Sequence, residues 1–430
     1  MGIKISIIGA GSSYTPELFE DLVNYRESIP VTEVCLVDKN PDRLSLIEKV
    51  AGQLVAKNKL DLKLTCTTDR QSAIAGSDFI ILQIRAGGIA AQIRDEQLPM
   101  SIGLIGNETI GAGGFTSALR TLPAVLSIAG DIERLAPHAW LMVLCNPAGI
   151  LTEALLNHTT VKTLGYCNIP INTTYALSEM LAVRPDQVGI DSFGLNHLSW
   201  IRHVTLDGVD RLPELIARSP ERETGLYQYG AVDGLIDPDW LKCMGMIPGW
   251  YNRYYYYPAE TFKEDSAQSH TKGQEDTAAE EKIKLLLTSQ GFNDTAKQIL
   301  ESKGGAQYYL PVLQVIRSML QDRGDVIVAD VMNNQVFKDL PADACIEIPV
   351  RMYRDRIEAM AVDPIPLSMR GLLQQVKAYE QLTISAALTG SRSTALAALT
   401  TNPLVGSVTK AREFFELMVN SEGESIPRFH

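Results

Sequence analysis

Ile5-Ser6-Ile7-Ile8-Gly9-Ala10-Gly11-Ser12-Ser13-Tyr14-Thr15-Pro16 decides how this 430-residue chain begins to fold. The apolar run reads as a strand. Gly9 permits a tight turn, and Gly11 lets backbone N–H groups approach a pyrophosphate at a helix N-terminus. Thr15 reads as the helix N-cap with Pro16 at the first helical position. Ser12 and Ser13 add hydroxyls that can reach a phosphate. Tyr14 stands where the dinucleotide fingerprint has its third glycine. Asp38 ends the second expected strand, where a carboxylate binds the adenosine ribose and repels a 2′-phosphate. The expected cofactor is therefore NAD, bound by Gly9, Gly11, Ser12, Ser13 and Asp38.

Working outward, short runs rich in Ile, Val and Leu recur between helical patterns at Lys4–Gly9, Glu33–Asp38, Leu62–Thr67, Phe79–Gln83 and Trp140–Cys145. Strands alternating with helices predict a doubly wound, Rossmann-like parallel sheet over residues 1–165. Residues 166–430 read as a mixed α/β substrate domain, giving a lactate/malate dehydrogenase-like architecture with the site in the cleft between the two. In that second part 276–303, 311–322 and 366–389 read as helices, and Val326–Val331 and Cys345–Val350 as strands. Thr205-Leu206-Asp207-Gly208 reads as a strand entering a turn. Residues 210–240 carry no clear pattern, and 258–275 read as a mobile loop.

Composition narrows the class. The chain is 45% hydrophobic and 21% charged, ordinary for a globular protein. Its 39 Lys and Arg against 51 Asp and Glu give a net charge of −12, with no basic run. That argues against nucleic acid and anionic membranes as partners. No apolar stretch reaches the roughly 18 residues a bilayer span needs. The N-terminus enters a strand directly, so no signal peptide is expected. Six cysteines without a CxxC pair favour free thiols, and the expected location is the cytoplasm.

Cys167, in Cys167-Asn168-Ile169-Pro170, and His197, in Gly194-Leu195-Asn196-His197, supply one thiolate and one imidazole. Together they make a half-complete metal site whose open positions suit substrate oxygens. Tyr251-Asn252-Arg253-Tyr254-Tyr255-Tyr256-Tyr257-Pro258 is an unusually dense phenol run. Asn146 follows the fifth strand, at the carboxyl edge where such sheets bind ligands.

These motifs, in this order, resemble glycoside hydrolase family 4, the NAD- and metal-dependent glycosidases. The resemblance also runs through Gly106-Asn107-Glu108-Thr109, Gly113-Gly114, Cys145-Asn146-Pro147 and Asn402-Pro403-Leu404-Val405, and so covers nearly the whole chain. The quartet Cys-Asn-Ile-Pro is similar to that of the 6-phospho-β-glucosidase branch. The resemblance implies hydrolysis of 6-phospho-β-glucosides such as cellobiose 6-phosphate by oxidation at C3, deprotonation at C2, elimination of the aglycone, water addition and re-reduction. It implies Mn²⁺ on Cys167 and His197, although Cys–His ligation equally suits Zn²⁺ and Co²⁺. Tyr251 matches the family's proton acceptor, with Tyr254 or Tyr255 as alternatives if the register slips.

The resemblance further assigns Asn146 to substrate binding. Asn168 occupies the place of the aspartate that the α-specific branch uses as an acid, so departure of the aglycone relies on water or on an activated leaving group. Gln92 and Lys272 stand where the family commonly has arginines that bind substrate. Lys272 remains a point charge, and Arg94 is a substitute for the missing guanidinium. A homodimer or homotetramer is expected. The alternatives are a family 4 enzyme for a hexuronide or galactoside, a 2-hydroxyacid dehydrogenase, and a non-enzymatic NAD-sensing regulator.

Overall fold

The computed structural model describes residues 2–220, 222–303, 307–360 and 364–430. Among the described residues thirteen strands form one sheet: β1 Ile3–Ile8, β2 Val31–Val37, β3 Lys63–Thr67, β4 Phe79–Leu82, β5 Trp140–Val143, β6 Lys162–Gly165, β7 Val188–Leu195, β8 Leu198–Leu206, β9 Val209–Asp210, β10 Ile247–Pro248, β11 Asp325–Met332, β12 Cys345–Met352 and β13 Ile357–Ala359. Six of them run parallel in the order β3-β2-β1-β4-β5-β6, the doubly wound dinucleotide arrangement. All five strands expected in the first 165 residues are present. β6, only four residues long, completes the set.

The sheet does not stop there. β6 pairs antiparallel with β11 through Gly165 and Asp330, and β12, β7, β8 and β10 follow. The parallel and antiparallel portions thus share one sheet and one large apolar core, with a smaller cluster around Leu177, Val204, Leu215 and Leu241. This makes the carboxyl ends of β1, β4, β5 and β6 one continuous rim.

Several local expectations differ from the structure. The first helix spans Thr15–Tyr25 with Tyr14 at its N-cap, so Thr15 lies inside it; its hydroxyl donates to the Ala10 carbonyl at 2.9 Å. The stretch 258–275 is mainly helical: Pro258–Ala267 is a helix, and Lys272 opens another that runs to Ser289. The expected helix 276–303 is two helices, the second being Asp294–Ser302, capped by the Asn293 side chain on the Ala296 N–H at 3.0 Å. Among the described residues, no helix is long and apolar enough to cross a membrane.

The C-terminal helix Val408–Glu422 is held in two ways. Phe414, Phe415 and Met418 enter the core, while Glu422 accepts from buried Arg120 at 2.9 Å and from Arg94 at 2.9 Å. Arg120 also pairs with Asp95 and donates to the Ala86 carbonyl at 2.9 Å. Arg120→Met would leave buried Asp95 without its guanidinium and Glu422 with Arg94 alone, so unfolding free energy should fall by about 3–5 kcal/mol. The check is the urea midpoint of wild type and variant; an unchanged midpoint would mean the apolar face alone holds the helix.

Candidate active site

A cavity of about 1900 Å³ follows the rim of strand ends. The strand order dictates its layout. Gly9, Gly11, Ser12 and Asp38 line it beyond β1 and β2, Arg85 beyond β4, Asn146 beyond β5, and Cys167 beyond β6. His197, Tyr251, Gln92 and Lys272 complete the wall from later elements.

Gly9 has φ +94°, and a Cβ there would lie 2.7 Å from the Gln83 carbonyl oxygen, so the tight turn needs glycine. At Gly11 a Cβ would lie 2.7 Å from the Asp38 carboxylate. The reason is that the Gly11 N–H donates to Asp38 Oδ2 at 2.9 Å, so this N–H is directed at the carboxylate. Ser12 lines the cavity, whereas Ser13 is buried and donates to Glu280 Oε1 at 2.5 Å. Glu280 gathers Ser13, Lys303 and Arg43, the last at 3.0 Å. Burial would raise the Glu280 carboxyl, but these three partners hold it below the usual range. Glu280 thereby clamps the Lys272–Ser289 helix onto the glycine loop.

The Cys167–His197 pair forms from two local devices. Cys167 sits between β6 and the helix Ile169–Leu181, and the Ile169 N–H donates to its Sγ at 3.5 Å. Asn196 and His197 form the two-residue turn joining β7 to β8, with His197 at φ +64°. Asn196 Nδ2 donates to buried Glu347 on β12 at 3.0 Å, which ties the turn down. Thirty residues apart in sequence, Cys167 Sγ and His197 Nε2 stand 3.6 Å apart. An ion with ligand bonds of about 2.1–2.3 Å spans such a gap.

Burial lowers His197 to about 3, so the ring is neutral and can offer a lone pair. Burial, with Glu347, pushes the Cys167 thiol up; a bound cation reverses that preference. Among the described residues, no third His, Cys, Asp or Glu completes a cluster. The pair therefore fits a divalent ion with open positions. Asn168 is the helix N-cap, its Oδ1 3.9 Å from Cys167 Sγ.

The Tyr251 ring lies 4.2 Å from the His197 ring and 5.6 Å from that of Tyr254. Burial, then Glu108, pushes the Tyr251 phenol well above its usual range. Tyr254 also lines the cavity; its hydroxyl accepts from Asn107 Nδ2 at 3.3 Å, and burial pushes it up to about 12. Tyr255 packs against the apolar core instead.

The expected phosphate group of residues separates. Arg94 pairs with Glu422 and is not among the residues lining the cavity, so the substitution for a lost arginine is withdrawn. Buried Gln92 accepts from Arg85 and donates to Glu96 at 3.0 Å and Asp276 at 3.3 Å. Lys272 pairs with the same Asp276. Arg85, absent from the sequence expectations, supplies the guanidinium beside Gln92. A cation at the end of β4, followed by Gly87-Gly88, was the signal for it. Glu347, an acid inside the apolar run of β12, was a second overlooked signal.

A glycine loop of the dinucleotide type and a facing Cys–His pair on one rim point to a cofactor-using α/β enzyme. The family 4 glycosyl hydrolase model matches residues 4–183, and the model of the family's C-terminal domain matches 192–405. A probable 6-phospho-beta-glucosidase of Bacillus subtilis (strain 168) is 35% identical over 435 residues, spanning 100% of this chain and 98% of that one. The 6-phospho-beta glucosidase of Thermotoga maritima, solved with manganese, NAD⁺ and glucose-6-phosphate, superposes with a TM-score of 0.90 at 27% identity over 100% of both chains. A 6-phospho-alpha-glucosidase from gut microorganisms, solved with NAD and Mn²⁺, gives 0.89 at 27% identity over 100% of both chains. The chain belongs to glycosyl hydrolase family 4 and is a glycoside hydrolase.

Proposed function

We propose that this enzyme hydrolyses 6-phospho-β-glucosides, with NAD⁺ on the glycine loop and a divalent ion, Mn²⁺ by kinship, on Cys167 and His197. The observation that carries the reading is the 3.6 Å approach of Cys167 Sγ to His197 Nε2 beneath the Tyr251 ring, in the cavity that also reaches Asp38. When bound, NAD⁺ would supply a reversible hydride acceptor for C3, so that the hydride taken before elimination goes back after water has added, and the ion would supply the positive charge that polarises a C3 carbonyl and favours a phenolate nearby.

The chain's own residues do the rest. Tyr251 takes the C2 proton, and loss of the C1–O bond follows by elimination. Asn146, exposed at the end of β5, donates to and accepts from sugar hydroxyls. Asn168 has no acidic proton to give, so water protonates the departing oxygen. Water then adds at C1 and Tyr251 returns a proton to C2. Arg85, with Gln92 and Lys272, receives the 6-phosphate; a guanidinium and an ammonium lining one cavity suit a dianion. Asn168 in the Cys-Asn-Ile-Pro quartet supports the β anomer, which overall fold alone does not distinguish.

Nitrophenyl 6-phospho-β-glucoside, its α-anomer and the unphosphorylated β-glucoside test this directly. The phosphorylated β form should be turned over at least about 100-fold faster than the unphosphorylated one, as expected when cationic groups placed for an anion lose it. Preference for the α-anomer or the unphosphorylated sugar would overturn the assignment.

A further inference from the structure

Trp250 and Tyr229 are large apolar side chains left 42% and 38% exposed, and both lie on the wall of the active cavity. Their positions are built. Trp250 Nε1 donates to the Gly230 carbonyl at 2.9 Å, which fixes the indole against the loop that carries Tyr229. On the other side, Gly249 N–H donates to the Ser199 carbonyl at 2.9 Å, and Asn252 Nδ2 donates to the same oxygen at 3.1 Å. The indole is thus pinned at its Nε1 edge while the side chain stays exposed on the cavity wall. An exposed aromatic face inside a ligand cavity is a binding surface until something covers it.

We propose that Trp250, flanked by Tyr229, is the platform on which the leaving sugar or aryl aglycone of the substrate stacks. This rests on the 6-phospho-β-glucosidase reading. The placement follows from the connectivity of the sugar ring. Tyr251 acts at C2, and C1, which carries the leaving group, is the adjacent ring atom. The residue beside Tyr251 in the chain is Trp250, and it lines the same space as Cys167 and His197. The 6-phosphate hangs from C5, the ring atom opposite C2, and is assigned above to Arg85, Gln92 and Lys272, which leaves the indole to the group on C1. A pyranose presents a face of C–H bonds, and an aryl group presents its own ring. Both suit an indole face with its N–H already bonded elsewhere.

The test compares two substrates sharing the phosphorylated glucose but differing at C1: cellobiose 6-phosphate and methyl 6-phospho-β-glucoside. In Trp250→Ala the ratio of kcat/KM for the disaccharide to that for the methyl glycoside should fall about tenfold, chiefly through KM. Trp250→Phe, which keeps a ring and guards against misfolding, should hold that ratio within about threefold of wild type. Equal losses on both substrates, or an unchanged ratio in Trp250→Ala, would overturn the platform. Wild-type inactivity on both substrates would instead sink the 6-phospho-β-glucosidase reading, and the platform with it.

Discussion

Cys167→Ser is expected to lower kcat by on the order of 10³-fold or more while leaving NAD⁺ affinity within a few-fold of wild type. The size follows from the ligand role proposed for the thiol. His197 is neutral and supplies one donor; without the sulfur, among the described residues, it has no His, Cys, Asp or Glu cluster to fall back on. A serine hydroxyl is a poorer donor and stays protonated near neutrality. The loss of an ion that polarises a carbonyl amounts to several kcal/mol of barrier. Cys167 belongs to the end of β6, whereas the glycine loop is held by Asp38 and by Glu280 through Ser13, Arg43 and Lys303. Cofactor affinity and turnover should therefore separate. Steady-state assays with added Mn²⁺, beside equilibrium dialysis of NAD⁺, make the comparison. A Cys167→Ser enzyme with wild-type turnover would remove the metal assignment.

Tyr251→Phe should cost about 10²–10⁴-fold in kcat, the range a positioned general base contributes. The substitution keeps the ring that lies 4.2 Å from His197, so the hairpin turn and the metal pair should survive. Tyr254→Phe is the matching control. Its hydroxyl already accepts from Asn107, and it lies one tyrosine further from His197 along the ring stack. Its loss should be smaller by at least about tenfold if the base is Tyr251. The opposite order would move proton transfer to Tyr254.

Much of the fold was legible because its signals are local. The Ile5–Ile8 run, the Gly9 turn and the Asp38 strand end are contained within forty residues, and apolar patterning located three more strands before residue 165 and two, β11 and β12, after it. β6 was missed because four residues, with Gly165 among them, carry too little pattern. The polar stretch 258–275 hid helices, since the Pro258–Ala267 helix buries little more than Thr261. The break after Ser289 lay inside a stretch read as one helix and is marked by Gly291, at φ +74°, and by the Asn293 cap.

The site was less legible, for a physical reason. Side chains whose partners lie far along the chain give no sequence signal of where they point. Ser13 and Glu280 are 267 residues apart, and Arg94 and Glu422 are 328 apart. Both were expected to face ligand, and both are occupied by protein carboxylates. Cys167 and His197 were found through the family motifs around them; the structure adds that they meet. Arg85 went unnoticed because a lone arginine after a strand resembles a surface residue until Gln92 and Asp276 are placed beside it.

Proton exchange at C2 probes the central claim most directly, because only elimination after oxidation at C3 makes that proton labile. Wild-type enzyme with NAD⁺ and Mn²⁺ should be allowed to hydrolyse nitrophenyl 6-phospho-β-glucoside in D₂O, and the glucose 6-phosphate formed should be read by NMR. Deuterium at C2, with no hydrolysis when NAD⁺ is withheld, is the expected result. Full retention of hydrogen at C2, or turnover that persists without NAD⁺, would contradict it.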